Sequence, residues 1–179
     1  MSGAFLMNLR GPIILDHEHA CREAVYGELD NIISLLSDVC EELSKIREIH
    51  FSVGGFGLAD WRASVWMDLC VVLEQLPAIV NALMREDREF ALDFFEQSLE
   101  RTLRFVRHGS SLTVTCVSRH AGWAPDPASV EMPVADFEDM LANLVKEVGR
   151  LVQGVCPQQA RHPWFLEWYA SASARRSGT

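Results

Sequence analysis

The clearest group of metal-ligand residue types in this sequence is the run Asp16-His17-Glu18-His19, followed by Cys21. His17 and Cys21 are four residues apart, so they share one face if the segment is helical. The run lacks the spacing of a zinc-protease helix, in which two histidines four residues apart flank a glutamate. Acidic residues are favoured at a helix start, where the helix dipole is positive. We therefore expect a polar helix start, with no metal and no cofactor.

The glycine-rich run Gly54-Gly55-Phe56-Gly57 invites comparison with phosphate-binding loops. Those loops end in a lysine followed by serine or threonine, and they lead directly into a helix whose amides face the phosphate. Here the predicted order is strand, glycines, strand, with His50 to Val53 and Trp61 to Trp66 as the two strands. The pattern predicts a hairpin, and a loop that approaches a ligand or partner is the alternative.

The sequence contains no recognisable motif for nucleophilic or acid–base catalysis. No serine lies in a Gly-x-Ser-x-Gly turn, and no cysteine lies in a known catalytic signature. Carboxylates are plentiful, but acids on amphipathic elements are ordinary surface residues, and catalysis requires perturbed pKa values that a sequence does not reveal. Because triads are assembled in space, an enzyme stays open as an alternative. The expectation is a protein that binds a partner and is not an enzyme.

The formal net charge of −9 is opposite in sign to the face of a protein that binds a phosphate backbone, so we expect no nucleic-acid partner. From Asp16 to Glu48 nine acids stand against three bases, and from Asp68 to Glu100 eight acids stand against two. Such acidic surfaces either keep a protein soluble or dock a basic partner. The five tryptophans lack a positive groove, which leaves core anchors or a protein interface as their roles.

Five widely spaced cysteines lie mostly in apolar stretches, namely Cys21, Cys40, Cys70, Cys116 and Cys156. Their odd number and positions are typical of buried, reduced thiols. No run is long and apolar enough for a membrane helix by inspection, and the N-terminus carries no signal-like pattern. We expect a cytoplasmic protein that does not contact a membrane.

Two stripes of apolar residues at alternating spacings of four and three predict two long helices. The first begins near Asp16 and runs through Val25, Leu29, Ile32, Leu36, Val39, Leu43 and Ile46. The second comprises Phe137, Leu141, Leu144, Val148, Leu151 and Val155. Helices with such seams pack side by side. A homodimer through the seam from Val25 to Ile46 is the alternative.

A third helix is predicted from Asp68 onward, with a kink or short break near Gln75 because Pro77 cannot donate an amide hydrogen bond. Alternating apolar and polar residues then predict three strands, Glu89 to Phe95, Leu99 to Arg107 and Ser111 to Ser118. Arg101 interrupts the apolar face of the second strand. A short helix from His162 to Ala170 follows at the end.

These elements predict one α+β domain over residues 1–179, in which an antiparallel sheet of about five strands packs against the long N- and C-terminal helices. Residues 1–15 are expected to be a loose lead-in that contributes at most one short strand. Residues 171–179, which are small and basic, are expected to be a frayed tail.

The block from His50 to Arg119 resembles small immunity proteins of bacterial polymorphic-toxin systems. The residues that carry the resemblance are Val53-Gly54-Gly55-Phe56-Gly57, Trp61, Asp68-Leu69, Leu73-Glu74-Gln75-Leu76-Pro77, Asp93-Phe94-Phe95-Glu96-Gln97 and Arg104-Phe105. The resemblance implies a cytoplasmic protein that binds a cognate toxin domain and neutralises it by stoichiometric occlusion.

An acidic protein steers onto a basic toxin face and is held there by aromatic contacts. The predicted contact residues are Asp87, Glu89, Asp93, Glu96, Glu100, Trp61 and Phe56, together with the loop from Gly54 to Asp60. Two other classes stay open: a homodimeric structural protein that uses the first helix, and a small metal-binding protein or enzyme centred on Asp16 to Cys21.

Overall fold

Over the residues that the structure describes, the protein has an α+β fold with six strands in two antiparallel sheets. The structure, a computed structural model, describes residues 4–13, 21, 24–95, 99–119 and 122–174. The strands are β1 Leu6–Arg10, β2 His50–Gly54, β3 Glu89–Phe94, β4 Arg101–His108, β5 Ser111–Ser118 and β6 Ser129–Pro133. The helices are α1 Ile32–Ser44, α2 Cys70–Met84, α3 Val134–Val155, α4 Pro157–Ala160 and α5 Pro163–Ala172.

The larger sheet is a four-stranded meander in the order β3-β4-β5-β6. Strands β3, β4 and β5 lie within two residues of their predicted bounds, because period-two alternation is strong in all three. Strand β6 was not predicted: it has only five residues and ends at Pro133. The prediction of one sheet of about five strands is therefore wrong in detail.

The smaller sheet pairs β1 with β2, so β1 lies inside the predicted loose lead-in. Trp61 to Ser64 does not form the predicted second strand of a hairpin, although the Trp61 amide donates to the Val53 carbonyl at 2.8 Å. A π-helical turn, Val65–Leu69, follows at once. It begins before the predicted cap Asp68, because the Ser64 hydroxyl accepts the amides of Met67 and Asp68.

The first helix begins at Ile32, later than predicted, because Asn31 caps it by accepting the Ile33 amide at 2.8 Å. Val25 and Leu29 precede this helix and are 95% and 97% exposed. The predicted start near Asp16 lies outside the described residues. Farther along the stripe, Leu36, Val39 and Leu43 are fully buried in the core of this chain, so they are not available as a seam for a second copy.

Helix α2 runs without a break through Pro77, so the predicted short break does not occur. A proline at this position leaves the carbonyl of Leu73 without its helical donor. The indole Nε1 of Trp168, on α5, donates to that carbonyl at 2.9 Å. The α5 tryptophan therefore supplies the hydrogen bond that the proline removes.

The π-helical turn and α2 form one helical stretch, Val65–Met84, that is long and apolar enough to cross a membrane by composition. Within its most apolar window, 61% is buried inside the protein. A largely buried core helix passes the same test, so this is weak evidence for a span. The expectation that the chain contacts no membrane stays a prediction.

The second long helix is confirmed as α3, which contacts α1, β1 and β6. The buried apolar side chains of both sheets and the helices form one continuous core. Phe5, which directly precedes β1, packs against the larger sheet and α3, because its ring lies 6.4 Å from Phe105 on β4 and 6.5 Å from Phe137 on α3. The last helix extends to Ala172, and residues 175–179 of the predicted tail lie outside the described part of the chain.

Candidate functional site

The four-stranded sheet has one open face, which we call the outer face. Along β4, Leu103 and Phe105 point into the core, whereas Thr102, Arg104 and Val106 point the other way and are exposed or half-buried. Helix α2 contacts β3 and helix α3 contacts β6 on the inner side. The outward positions of the other strands are likewise accessible: Glu89, Ala91, Asp93, Thr113, Thr115, Val117, Ser129 and Glu131.

The predicted acidic contact residues do not form one cluster. Glu89 and Asp93 lie on the outer face, two alternate positions apart on β3. Asp87 precedes β3 and Glu100 precedes β4, so they lie at opposite ends of this strand pair, roughly 26 Å apart at the usual rise per residue. Glu96 lies outside the described residues.

Asp93 belongs to a closed hydrogen-bond network on the outer face. Arg119 Nη2 lies 2.9 Å from Asp93 Oδ1, and Arg119 Nη1 donates to the Thr102 hydroxyl at 2.6 Å. The Thr102 hydroxyl in turn donates to Asp93 Oδ1 at 2.9 Å. Each contact is partly exposed and so adds little stability. The network instead holds three side chains of two neighbouring strands and the segment after β5 in defined positions.

Bases also accompany two of the other predicted acids, Asp87 and Glu89. Arg85 Nε lies 3.7 Å from Asp87 Oδ1, and Arg88 Nε lies 4.0 Å from Glu89 Oε1. Arg104 is exposed in the middle of the outer face, in register between Ala91 and Thr115. The face therefore carries charges of both signs, whereas the sequence predicted an acidic docking surface.

The edge strand β3 is blocked in part by a side chain of α2. Gln75 Nε2 donates to the Asp93 carbonyl at 2.8 Å, and Gln75 Oε1 accepts the Asp93 amide at 2.9 Å. A side-chain amide thus takes the two backbone groups with which an added strand would pair. The backbone groups of Asp93 at the β3 edge are therefore occupied by Gln75 and cannot pair with an added strand.

Trp61 and Phe56, both predicted as contact residues, are buried and do not reach the surface. Trp61 is 3% exposed, and its indole Nε1 donates to the Gly55 carbonyl at 3.3 Å. The loop from Gly54 to Asp60 is packed against the protein: Gly57 has φ +86°, and a Cβ there would collide with the carbonyl of Asp126. Glycine is needed here for close backbone approach, so the loop serves the core.

Arg101 was given no role by the sequence analysis. It is only 7% exposed. Its guanidinium carbon lies 4.4 Å from the ring centre of Trp61 and 4.0 Å from that of Trp123. Burial lowers the pKa of Arg101, while Cys116 and the fully buried Asp68 act in the opposite direction. Among the described residues, Nε and Nη1 of Arg101 have no hydrogen-bond partner. The signal was the interruption of the apolar alternation at this position.

The Arg101 cluster lies on the inner face of the sheet and positions the start of β4. Stacking on two aromatic rings favours a buried guanidinium, as does the electrostatic attraction of Asp68. The cluster therefore acts as an internal support for the strand whose other side bears Arg104.

The cysteines are free, and all of those described except Cys21 are buried. Burial raises the pKa of the Cys116 thiol to about 11, so this thiol stays neutral and poorly nucleophilic at neutral pH. Over the described residues, no group of three His, Cys, Asp or Glu side chains is placed to hold a metal ion. The run from Asp16 to His19 lies outside those residues, and a metal site there stays an alternative prediction.

Comparison with known proteins gives no match: no protein family, no curated protein and no solved structure is significantly similar to this chain. The resemblance to immunity proteins therefore stays a prediction.

Proposed function

We propose that this chain is an immunity protein that binds a cognate bacterial toxin domain and neutralises it by covering it in a stoichiometric complex. The observation that supports the proposal is the outer face of the sheet, which is accessible and holds side chains fixed by the network of Asp93, Thr102 and Arg119. Side chains that are ordered before binding lose less conformational entropy in the complex. Occlusion requires such a surface and no catalytic group of its own.

The charges of the outer face define the surface that the toxin must present. Strand register puts Glu89, Val106, Thr113 and Glu131 in one row across the four strands. The two glutamates are then roughly 14 Å apart at the usual strand spacing. Arg104 lies between these two glutamates on β4, at the next outward position, two residues before Val106. A matching toxin face carries bases opposite the glutamates and a hydrogen-bond acceptor or acid opposite Arg104.

The net charge of −9 contributes at longer range, because it attracts a basic partner before contact is made. Mixed charges on the contact face then select the orientation. We place this action in the cytoplasm, a compartment that suits the five free cysteines. The proposed partner is still a toxin with a basic face, as the sequence predicted. That face also carries a hydrogen-bond acceptor or an acid opposite Arg104.

The test first asks whether a toxin domain is encoded beside this gene, and that domain is then purified and titrated with the protein by calorimetry. We expect a 1:1 complex and loss of the toxin's activity. Arg104→Glu and Glu89→Lys should each weaken the affinity by about 10- to 100-fold, the usual size for a charge reversal within an interface. Glu167→Lys is the matched control, because Glu167 is exposed on α5, in the helical layer.

Two results would contradict the proposal. Full affinity of both outer-face variants for the toxin removes the assignment of the outer face. Failure of the wild-type protein to bind the toxin, or a gene neighbourhood of metabolic enzymes without a toxin domain, removes the immunity function itself.

A further inference from the structure

A small pocket opens in the helical layer, on the opposite side of the sheet from the outer face. It lies where the C-terminal part of α2, the first two turns of α3 and the end of α5 meet, and it has a volume of about 190 Å³. Its floor includes the buried side chains of Val80, Leu83 and Leu141. Glu138 and Asp139 line its other side. The pocket thus combines an apolar floor with two carboxylates.

The end of α5 adds to the negative potential of this pocket. Helix α5 ends at Ala172, which lines the pocket, and the C-terminal end of a helix carries partial negative charge. The end of α2 also lies here but is compensated, because Arg107 Nη1 donates to the Leu83 carbonyl at 3.3 Å. Glu138 is half-buried and forms no salt bridge with any other described residue.

We propose that this pocket receives the side chain of a lysine or arginine from a partner protein. Basic side chains have an apolar stem and a charged head, so the stem fits the floor of Val80, Leu83 and Leu141 while the head reaches Glu138. A volume of about 190 Å³ lies below the range of drug-sized ligand pockets, which begins at roughly 300 Å³. The pocket therefore suits one inserted side chain, as in the anchor contacts of protein interfaces.

This site is independent of the outer face and of the toxin proposal, since it lies in the helical layer. A partner could occupy it whether or not the sheet face is covered. The test below uses a small probe and no toxin, so its failure and the failure of the immunity function are distinguishable.

The probe is n-butylguanidinium, which reproduces the end of an arginine side chain, titrated into ¹⁵N-labelled protein and followed by NMR. We expect saturable shifts of the amide signals of Leu83, Glu138 and Ala142, with a dissociation constant on the order of millimolar for so small a ligand. Butyramide, which has a similar stem and no charge, should bind at least about tenfold more weakly.

Two variants locate the probe in the pocket. Glu138→Gln is nearly isosteric and half-exposed, so the fold should persist while the affinity for n-butylguanidinium falls by at least about fivefold. Ala142→Leu adds bulk to a lining residue and should abolish the shifts. Glu131→Gln, on the outer face, is the matched control and should bind as the wild type does.

Three outcomes would overturn the proposal. The first is the absence of saturable shifts at these amides. The second is equal affinity for butyramide and n-butylguanidinium, which would mean that charge is not recognised. The third is binding that becomes detectable only in an Arg175→Ala/Arg176→Ala variant, which would assign the pocket to the arginines of this chain and not to those of a partner.

Discussion

Two arginines three residues apart on β4 differ in burial. The strand directs Arg101 to the inner face of the sheet, where it is buried, and Arg104 to the outer face, where it is exposed. Arg101 has lost almost all contact with water and depends on two tryptophan rings and the attraction of Asp68. Arg104 keeps its hydration. The difference shows that the same charge contributes to internal order on one face and remains available to a partner on the other.

Substitution of the two arginines by methionine is the strongest test of this contrast. Arg101→Met removes a buried guanidinium that stacks on two tryptophan rings and attracts Asp68, so we expect the free energy of unfolding to fall by about 3 kcal/mol in urea denaturation. Arg104→Met should change it by less than about 0.5 kcal/mol. An Arg101→Met protein as stable as the wild type would show that the stacked guanidinium does not support the inner face.

Substitution in the loop from Gly54 to Asp60, next to Trp61, should destabilise the protein nearly as much as Arg101→Met. Gly57→Ala combines a positive φ of +86° with a collision against Asp126, so we expect a loss of about 2 to 3 kcal/mol. Gly109, in the turn between β4 and β5, has φ +63° but nothing within 4 Å of an added Cβ. Gly109→Ala should therefore cost only about 1 kcal/mol. Equal losses in thermal or urea unfolding would mean that the loop is not held against Asp126.

The inner face should also make the protein sensitive to alkali. The pKa of Cys116 is raised to about 11 in the folded protein, above the ordinary value of 9.0, because burial disfavours the thiolate. Between these two values the unfolded chain has lost the proton and the folded chain keeps it, so stability falls as pH rises through this window.

The titration of this thiol alone should lower the free energy of unfolding by roughly 1 to 2 kcal/mol between pH 8 and pH 10.5. Cys116→Ala should flatten the urea-midpoint profile over that range, and Val117→Ala, at the neighbouring outward position, should keep the slope. Parallel profiles for the wild type and Cys116→Ala would contradict this assignment. Other buried thiols with raised pKa values, such as Cys40 and Cys156, leave a residual slope.

The smallest effect on stability is expected at the outer-face network. Asp93→Asn weakens a partly exposed ion pair with Arg119, so the free energy of unfolding should fall by less than about 1 kcal/mol, and high salt should reduce the difference further. Asp68→Asn, which changes the buried carboxylate opposite Arg101, should cost more than about 2 kcal/mol. A reversed order of the two losses in urea unfolding would break the distinction between the faces.

Elements with strong periodicity were predictable from residues alone. Strands β3, β4 and β5 and helix α3 follow from period-two and four-three patterns that need no distant partner. The pairing of β1 with β2 was not predictable, because it joins segments 40 residues and more apart, whereas the glycine run suggested a local hairpin. The start of α1 was misplaced because the apolar stripe continues before the Asn31 cap.

The candidate site was predicted in part. Glu89 and Asp93 do lie on an accessible sheet face, as alternation on β3 allows. The pairing of Asp93 with Arg119 depends on the sheet, which brings residues 26 positions apart into contact. Trp61 was expected at an interface and lies in the core, since hydrophobic composition does not distinguish the two roles.

Residue order by itself determined the α+β class, the long final helix, the central meander and the acidic net charge. Those properties depend on composition and on periods of two and 3.6 residues, which any local segment displays. Only the tertiary structure decided which acids are matched by arginines, which tryptophans stack on Arg101 and where a pocket forms between α2, α3 and α5. Coulomb interactions and burial depend on distances between segments far apart in the chain, and those distances exist only after the core has packed.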